Sequence, residues 1–459
     1  MHVPRLRRPG RRPRVVAALL AVLMAGAGGG AVAGTAQAAD GAADRVLRPG
    51  VRGTALAWGA NLNGQLGDGT TTFYRTTPDL VCGMAPCTDP LRDAIAISGG
   101  NNHTIALRAD GTVVAWGYNI TGQLGDGTSL DRTTPVRVCA VGATAPCTSF
   151  LSNVVSIAAG GDHSLALLAD GTVVGWGSNG AGQLGNGASG TFNTTPVQTC
   201  EVSGCSAPLT HVVALAAGSA HSLALGTDGY VRAWGSDSDG QLGDGNTGTI
   251  SPTPIFVSGV SGATAIAGGF YHSVAVQTGG TVMTWGSNSL GQLGDGTTTD
   301  RSTPVQVCAQ GATAPCATFL TGIGQVAAGY GHTVALRTDG SVRSWGYNAS
   351  GQLGNGTTTG TTTPVRVCAG GTTAPCGTFQ DGITALAAAG GQTLALRFDG
   401  GVRAWGSNSF GLLGDGTTVD RTTPVRVCAI GQTAPCSRPL SGAIAVTTSS
   451  NNSAALVRS

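Results

Sequence analysis

The chain has 459 residues, 76 of them glycine, and contains no lysine. Only 10% of its residues are charged while 41% are hydrophobic, and the apolar residues fall in short alternating runs, which excludes a disordered tract. Six arginines lie in the first 14 residues; beyond residue 38 nineteen arginines stand against 23 acidic residues, a net −4 that argues against a grip on nucleic-acid phosphates.

At the N-terminus Arg5, Arg7, Arg8, Arg11, Arg12 and Arg14 precede an apolar run from Val15 to Ala25, and Ala36-Gln37-Ala38 supplies a small-residue cleavage site. This order reads as an export signal over residues 1–38, with Ala39 the new first residue and 39–50 a short linker. The alternative, a retained anchor, asks for roughly 20 apolar residues. The run is shorter than that. A secreted, extracellular product with no membrane attachment is the expectation.

From residue 51 to 459 the chain repeats itself. Trp58, Trp116, Trp176, Trp234, Trp285, Trp345 and Trp405 are spaced by 58, 60, 58, 51, 60 and 60 residues. After each comes Gly, a variable residue, Asn (Asp237 once) and then G-Q-L-G, as in WGYNITGQLGDG from Trp116; Gly411-Leu412-Leu413-Gly414 departs from that last motif. Before each tryptophan lie two alternating runs joined by a tight turn, such as Asp170-Gly171, the pair that suits a two-residue hairpin. A preceding A-A-G run and a following T-P-V run complete four strands, with proline suited to the outer edge. Four strands repeated seven times at about 60 residues predict an all-β, seven-bladed β-propeller. The first unit opens late, at Ala55, and the chain ends on half a unit, Ala443 to Leu456. The two ends are therefore expected to share one blade and close the ring.

All 12 cysteines form six near pairs: Cys82/Cys87, Cys139/Cys147, Cys200/Cys205, Cys308/Cys316, Cys368/Cys376 and Cys428/Cys436. Each pair follows the T-P-V run, and the one unit without a pair, between Trp234 and Trp285, lacks both members. Paired loss in an exported chain predicts a disulfide within each loop. Zinc, which needs four ligands, and bonding between blades are the alternatives weighed against it.

The repeats resemble those of the regulator of chromosome condensation family, which carry similar G-G-x-H-S-x-A-L and W-G-x-N-x-x-G-Q-L-G segments. The resemblance spans roughly residues 51–459 and implies a seven-bladed propeller that binds proteins. Family members include a nuclear exchange factor for a small GTPase, and a secreted bacterial β-lactamase inhibitor has similar repeats. This chain departs from the nuclear type in its export signal and cysteines. It departs from the inhibitor in that every tryptophan is used by the repeat.

Chemistry-bearing residues are few. His103, His163, His221, His272 and His332 recur at one repeat position, with Gln392 and Ser453 read as their replacements in the other two units. Equivalent positions on different blades are too far apart to share one metal, so the rings are expected to bond to backbone between strands. Asp162, Asp237 and Asp239 are the aspartates off the repeat pattern, and a hydrolase would need them in one pocket. Alternating loops place the A-G-G-x-H and W-G-x-N loops on one face of the disc and the D-G turns and cystine loops on the other. The first face carries Tyr118, Phe270, Tyr271, Tyr330, Tyr347 and Phe410, the candidate binding residues, because exposed aromatics serve as interface anchors. The function expected is non-catalytic recognition of a protein partner by a monomer, with no cofactor and no metal. A cell-wall or other carbohydrate lectin, nucleotide exchange and a propeller hydrolase are the alternatives.

Overall fold

The computed structural model describes residues 38–40, 42–43, 52–202, 204–372 and 374–458. The expected export signal lies outside these apart from Ala38. Two short strands, Ala38–Asp40 and Ala42–Ala43, fall where a featureless linker was expected, and the first pairs in parallel with Ala263–Gly268 through Ala38↔Ile266 and Ala39↔Ala267. Among the described residues no helix is long and apolar enough to cross a membrane.

Seven antiparallel four-stranded units account for the remaining described strands. In a typical unit, Val154–Ala159, His163–Leu168, Val173–Asn179 and Thr191–Gln198 pair in sequence. The D-G turn between the second and third strands folds as expected, with Gly171 at φ 83° and Asp170 Oδ1 accepting the Thr172 amide at 3.0 Å. The fourth strand, bearing proline, is the outermost and only half-buried.

The ring closes as the sequence implied. Gly53–Ala60 pairs on one side with Tyr74–Leu80 and on the other with the C-terminal Asn452–Arg458, which pairs in turn with Ala443–Thr448. Counting this shared blade as blade one, its innermost strand packs against those of blades two and seven, so the innermost strands touch in an unbroken cycle.

The core lies between blades, not within them. Each of seven buried apolar clusters draws on two neighbouring blades: Leu56 and Trp58 of blade one meet Leu394, Val402 and Leu413 of blade seven, for example. Every motif tryptophan is fully buried in such a seam. Its indole N–H donates at 2.9–3.0 Å to a main-chain carbonyl of the preceding blade's G-Q-L-G: Trp116 to Gln65, Trp176 to Gln123, Trp345 to Gln292. The Leu412 departure is tolerated because Trp58 needs only the carbonyl, at 2.9 Å. The last glycine of the motif is obligatory for space as well as conformation. At Gly67, φ is 67° and an added Cβ would lie 2.7 Å from the Trp116 ring nitrogen.

Six disulfides, Cys82–Cys87, Cys139–Cys147, Cys200–Cys205, Cys308–Cys316, Cys368–Cys376 and Cys428–Cys436, each close their own loop. The W-G-x-N loops do not stay wholly on the opposite face. In units that carry a cystine they begin there, but the tip turns back to it: Cys436 Sγ lies 3.6 Å from Asp415 O, and Cys376 Sγ 3.7 Å from Asn355 O.

Candidate functional site

The repeated histidines belong to the seams. His103 Nε2 lies 2.9 Å from Ser164 Oγ on the next blade, and that hydroxyl donates to Gln123 O at 3.0 Å. The serine proton is thereby committed, so the imidazole donates from Nε2 and presents an unprotonated Nδ1. His163 with Ser222, His221 with Ser273, His272 with Thr333 and His332 with Thr393 repeat the arrangement. These partners are side chains across a blade boundary, where the sequence suggested backbone within a loop. Burial pushes the imidazoles down, to about 3 at His103, His163 and His272 and about 4 at His221 and His332. In blade seven Gln392 Nε2 donates to Thr448 Oγ1 at 2.7 Å instead. In blade one the equivalent residue is Asn452, opposite Gly59, and not Ser453, which stands opposite Trp58.

The off-pattern aspartates do not assemble. Asp162 accepts from Gln123 Nε2 at 3.3 Å, between blades two and three, while Asp237 and Asp239 belong to the third-to-fourth-strand loop of blade four. None of the four principal cavities among the described residues is lined by any of them.

What does assemble is the mouth of the central channel. The loops after the innermost strands meet there and enclose a depression of about 470 Å³. Phe270, Tyr330 and Tyr347 form one wall, and Asn101, Asn102, Ser450 and Asn451 stand in the lining beside them. Phe270 packs edge-on against Tyr271, with centroids 4.9 Å apart, and at 5.1 Å against Tyr330. Tyr271, Tyr330 and Tyr347 remain exposed. Burial, with Tyr330 and Asp239 nearby, raises the Tyr271 hydroxyl above its ordinary value, so that ring keeps its proton in neutral water. The polar residues brace one another: Ser450 Oγ donates to Asn101 Oδ1 at 2.7 Å, and Asn451 Nδ2 to Asn102 Oδ1 at 2.8 Å.

Four of the six expected aromatics thus gather. Tyr118 sits half-buried on blade two, outside the depression, and Phe410 packs against Phe73 at 5.9 Å. Sequence reasoning missed the amide side of the mouth. Its signal was Asn101-Asn102 and Ser450-Asn451, the two units with polar residues at both of these loop positions.

The comparisons with known proteins fit this architecture. The family model described as the RCC1-like domain matches residues 41–377, and that of the regulator of chromosome condensation (RCC1) repeat matches residues 399–456. The chain belongs to the RCC1-like domain family. Among curated members it is 31% identical to the ultraviolet-B receptor UVR8 of Arabidopsis thaliana, over 74% of this chain and 71% of the receptor. It is 29% identical to the E3 ubiquitin-protein ligase HERC2 of Homo sapiens over 84% of this chain, although that match spans only 7% of the ligase. Among solved structures it resembles yeast RCC1 (Prp20), seen with Kap60 bound, with a TM-score of 0.70 at 21% identity and 97% coverage of both chains. The RCC1-like propeller is thus the scaffold, and the mouth is where this member's residues leave the repeat.

Proposed function

We propose that the chain is a secreted, non-catalytic recognition module that holds a protein partner at the channel mouth, with Phe270, Tyr271, Tyr330 and Tyr347 as anchors. The observation that carries this reading is the exposed aromatic cluster set beside an uncharged, internally braced amide wall. Exposed tyrosines offer large contact area with a polar tip, the chemistry that dominates interface energetics. Two further facts support it. Propellers of this family serve protein recognition, as the yeast structure with Kap60 illustrates for that protein. Six disulfides suit an oxidising compartment, in keeping with the export signal expected from residues 1–38.

A neutral saccharide is the second reading. The same rings can stack on a sugar face while Asn101, Asn102 and Ser450 meet its hydroxyls. Immobilised mature protein, offered culture supernatant and cell-wall polysaccharide separately, distinguishes the two. Alanine at Tyr271, Tyr330 or Tyr347 should weaken capture of the protein partner about thirty-fold at a true anchor, a loss of ~2 kcal/mol. Asp170→Asn, in an exposed turn of the opposite face, is the control and should bind normally. Arg137 and Arg366 are unsuited to that role, since they stack on Phe150 and Phe379 at 5.2 and 3.8 Å.

A further inference from the structure

Blade four breaks a charge rule that the other six obey. In every blade the residue two after the Trp-Gly pair locks the loop with its side chain. Asn119 shows how: Oδ1 accepts the Leu124 amide at 2.9 Å, and Nδ2 donates to Asp126 Oδ1 and to the carbonyls of Thr128 and Leu130 at 3.1–3.2 Å. The amide nitrogen therefore sits in a nest of oxygens. Where the residue seven positions on is aspartate, apart from blade four, the ladder residue of the outermost strand opposite the Trp-Gly glycine is arginine, and the two pair. Asp68 meets Arg75, Asp126 meets Arg132, Asp295 meets Arg301 and Asp415 meets Arg421, at 2.6–2.8 Å. Where that residue is asparagine, as Asn186 and Asn355, the ladder residue is Asn193 or Thr361. In each of these six loops the locking residue is uncharged, and a carboxylate seven positions on is always paired with arginine.

In blade four the locking residue is Asp237, the residue seven on is Asp244, and the ladder residue is Ser251. Two carboxylates replace a neutral set, with no arginine at the ladder position. Asp237 is fully buried, and its Oδ1 accepts the Leu242 amide at 2.9 Å as an asparagine oxygen would. Its Oδ2 thus takes the place of an asparagine Nδ2. In blade three, whose outermost strand has the same ladder offset, that nitrogen donates to Asn186 Oδ1 and Ala188 O at 3.0 Å. By this correspondence Asp237 Oδ2 is directed toward the Asn246 carbonyl and toward Asp244, whose carboxylate accepts the Asn246 amide and Nδ2 at 2.9 and 2.8 Å; both neighbours are acceptors only. Asp237 Oδ2 is accordingly a buried oxygen with no hydrogen-bond partner. Burial, and then Asp244 and Asp239, push its carboxyl up to about 6.

We propose that this loop is a binding site for a hard divalent cation, calcium, held between the Asp237 and Asp244 carboxylates with the Asn246 carbonyl. Oxygen-only donors and two negative charges fit calcium, which takes six to eight oxygens in flexible geometry, better than magnesium, which demands a near-ideal octahedron. No group of three or more His, Cys, Asp or Glu among the described residues is arranged for a metal, so the main-chain carbonyl and solvent supply the other positions. Asp244 is half-buried, leaving a route for the ion. Two carboxylates place the affinity among the weaker extracellular calcium modules, with Kd about 0.1–1 mM.

Calorimetric titration of the folded full chain with CaCl2 in 150 mM NaCl tests this. One ion per chain is expected, with MgCl2 at least tenfold weaker. Asp237→Asn and Asp244→Asn install residues that other blades already carry at those positions, so both should fold, and each should weaken calcium at least tenfold. Ser251→Arg, which restores the missing ladder arginine, should do the same. Absence of calcium binding up to 10 mM, or binding unchanged in Asp237→Asn, overturns the site.

Discussion

Between blades the same contacts recur around the ring: an indole N–H on a G-Q-L-G carbonyl, an imidazole on a serine or threonine, and an apolar cluster drawn from both sides. At the mouth the loops that flank those contacts carry residues that do not recur, Phe270, Tyr330 and Asn101 at equivalent positions of different blades. The seams are buried and uniform; the mouth is exposed and individual. The difference shows how one repeat serves two ends. A seam must satisfy its neighbour wherever it stands in the ring, so every unit is held to one pattern. Loop tips at the mouth touch few neighbours and are free to differ, which is where recognition is gained at little cost to the fold.

The sharpest way to break the comparison is to open the ring. Ending the chain after Leu440 removes Ala443–Thr448 and Asn452–Arg458, and with them two strands of the shared blade and part of two apolar clusters. Gly53–Ala60 becomes an unpaired edge. The truncated protein should fail to fold or aggregate; a melting curve matching the full chain would contradict closure by shared strands.

Acid is the next largest lever, and it acts first on the seams, before the turn and loop carboxylates held below their ordinary range are reached. The five seam imidazoles lie at about 3 to 4 when folded, against about 6.5 when unfolded. As pH falls below 6.5 the unfolded chain takes up protons that the folded chain refuses, so stability drops until pH 3 to 4. The loss is about 1.4 kcal/mol per pH unit for each histidine. Unfolding followed by tryptophan fluorescence should therefore be steep below pH 6. His163→Gln, the substitution blade seven already carries, should move the acid midpoint to lower pH. An unchanged midpoint would mean the imidazoles do not bear the proton load.

Smaller effects are expected at the cystine loops. Replacing both Cys139 and Cys147 by serine should cost about 2–3 kcal/mol, the loop-entropy value for so short a closure. Circular dichroism should show strand content intact, since the loop lies between Arg132–Arg137 and Val154–Ala159 and contributes no strand to a blade. A loss of strand signal would mean the loop helps to build the blade.

Most of the fold was legible because the tryptophan period, the D-G turns and the split terminal unit are local patterns repeated in register. The partner of each seam residue was not, because it lies on the next blade, roughly 40 to 60 residues away, as with His103 and Ser164. That the apolar clusters bridge neighbouring blades was hidden for the same reason. Of the mouth, the aromatics were visible as departures from the repeat, whereas Asn101, Asn102 and Ser450 look like ordinary loop residues until the ring brings blades one, two and six together. The special standing of Asp237 was visible in sequence as a single Asn-to-Asp departure. Its meaning needed the ladder that sets Ser251 where four other blades have arginine.

One paired measurement bears most directly on the division between seam and mouth. Alanine is placed at Tyr271, Tyr330 and Tyr347 together, and partner capture and melting temperature are recorded on the same preparation. The account predicts a melting temperature close to that of the parent chain with capture lost. A triple variant that unfolds early, or one that captures as the parent does, would contradict it.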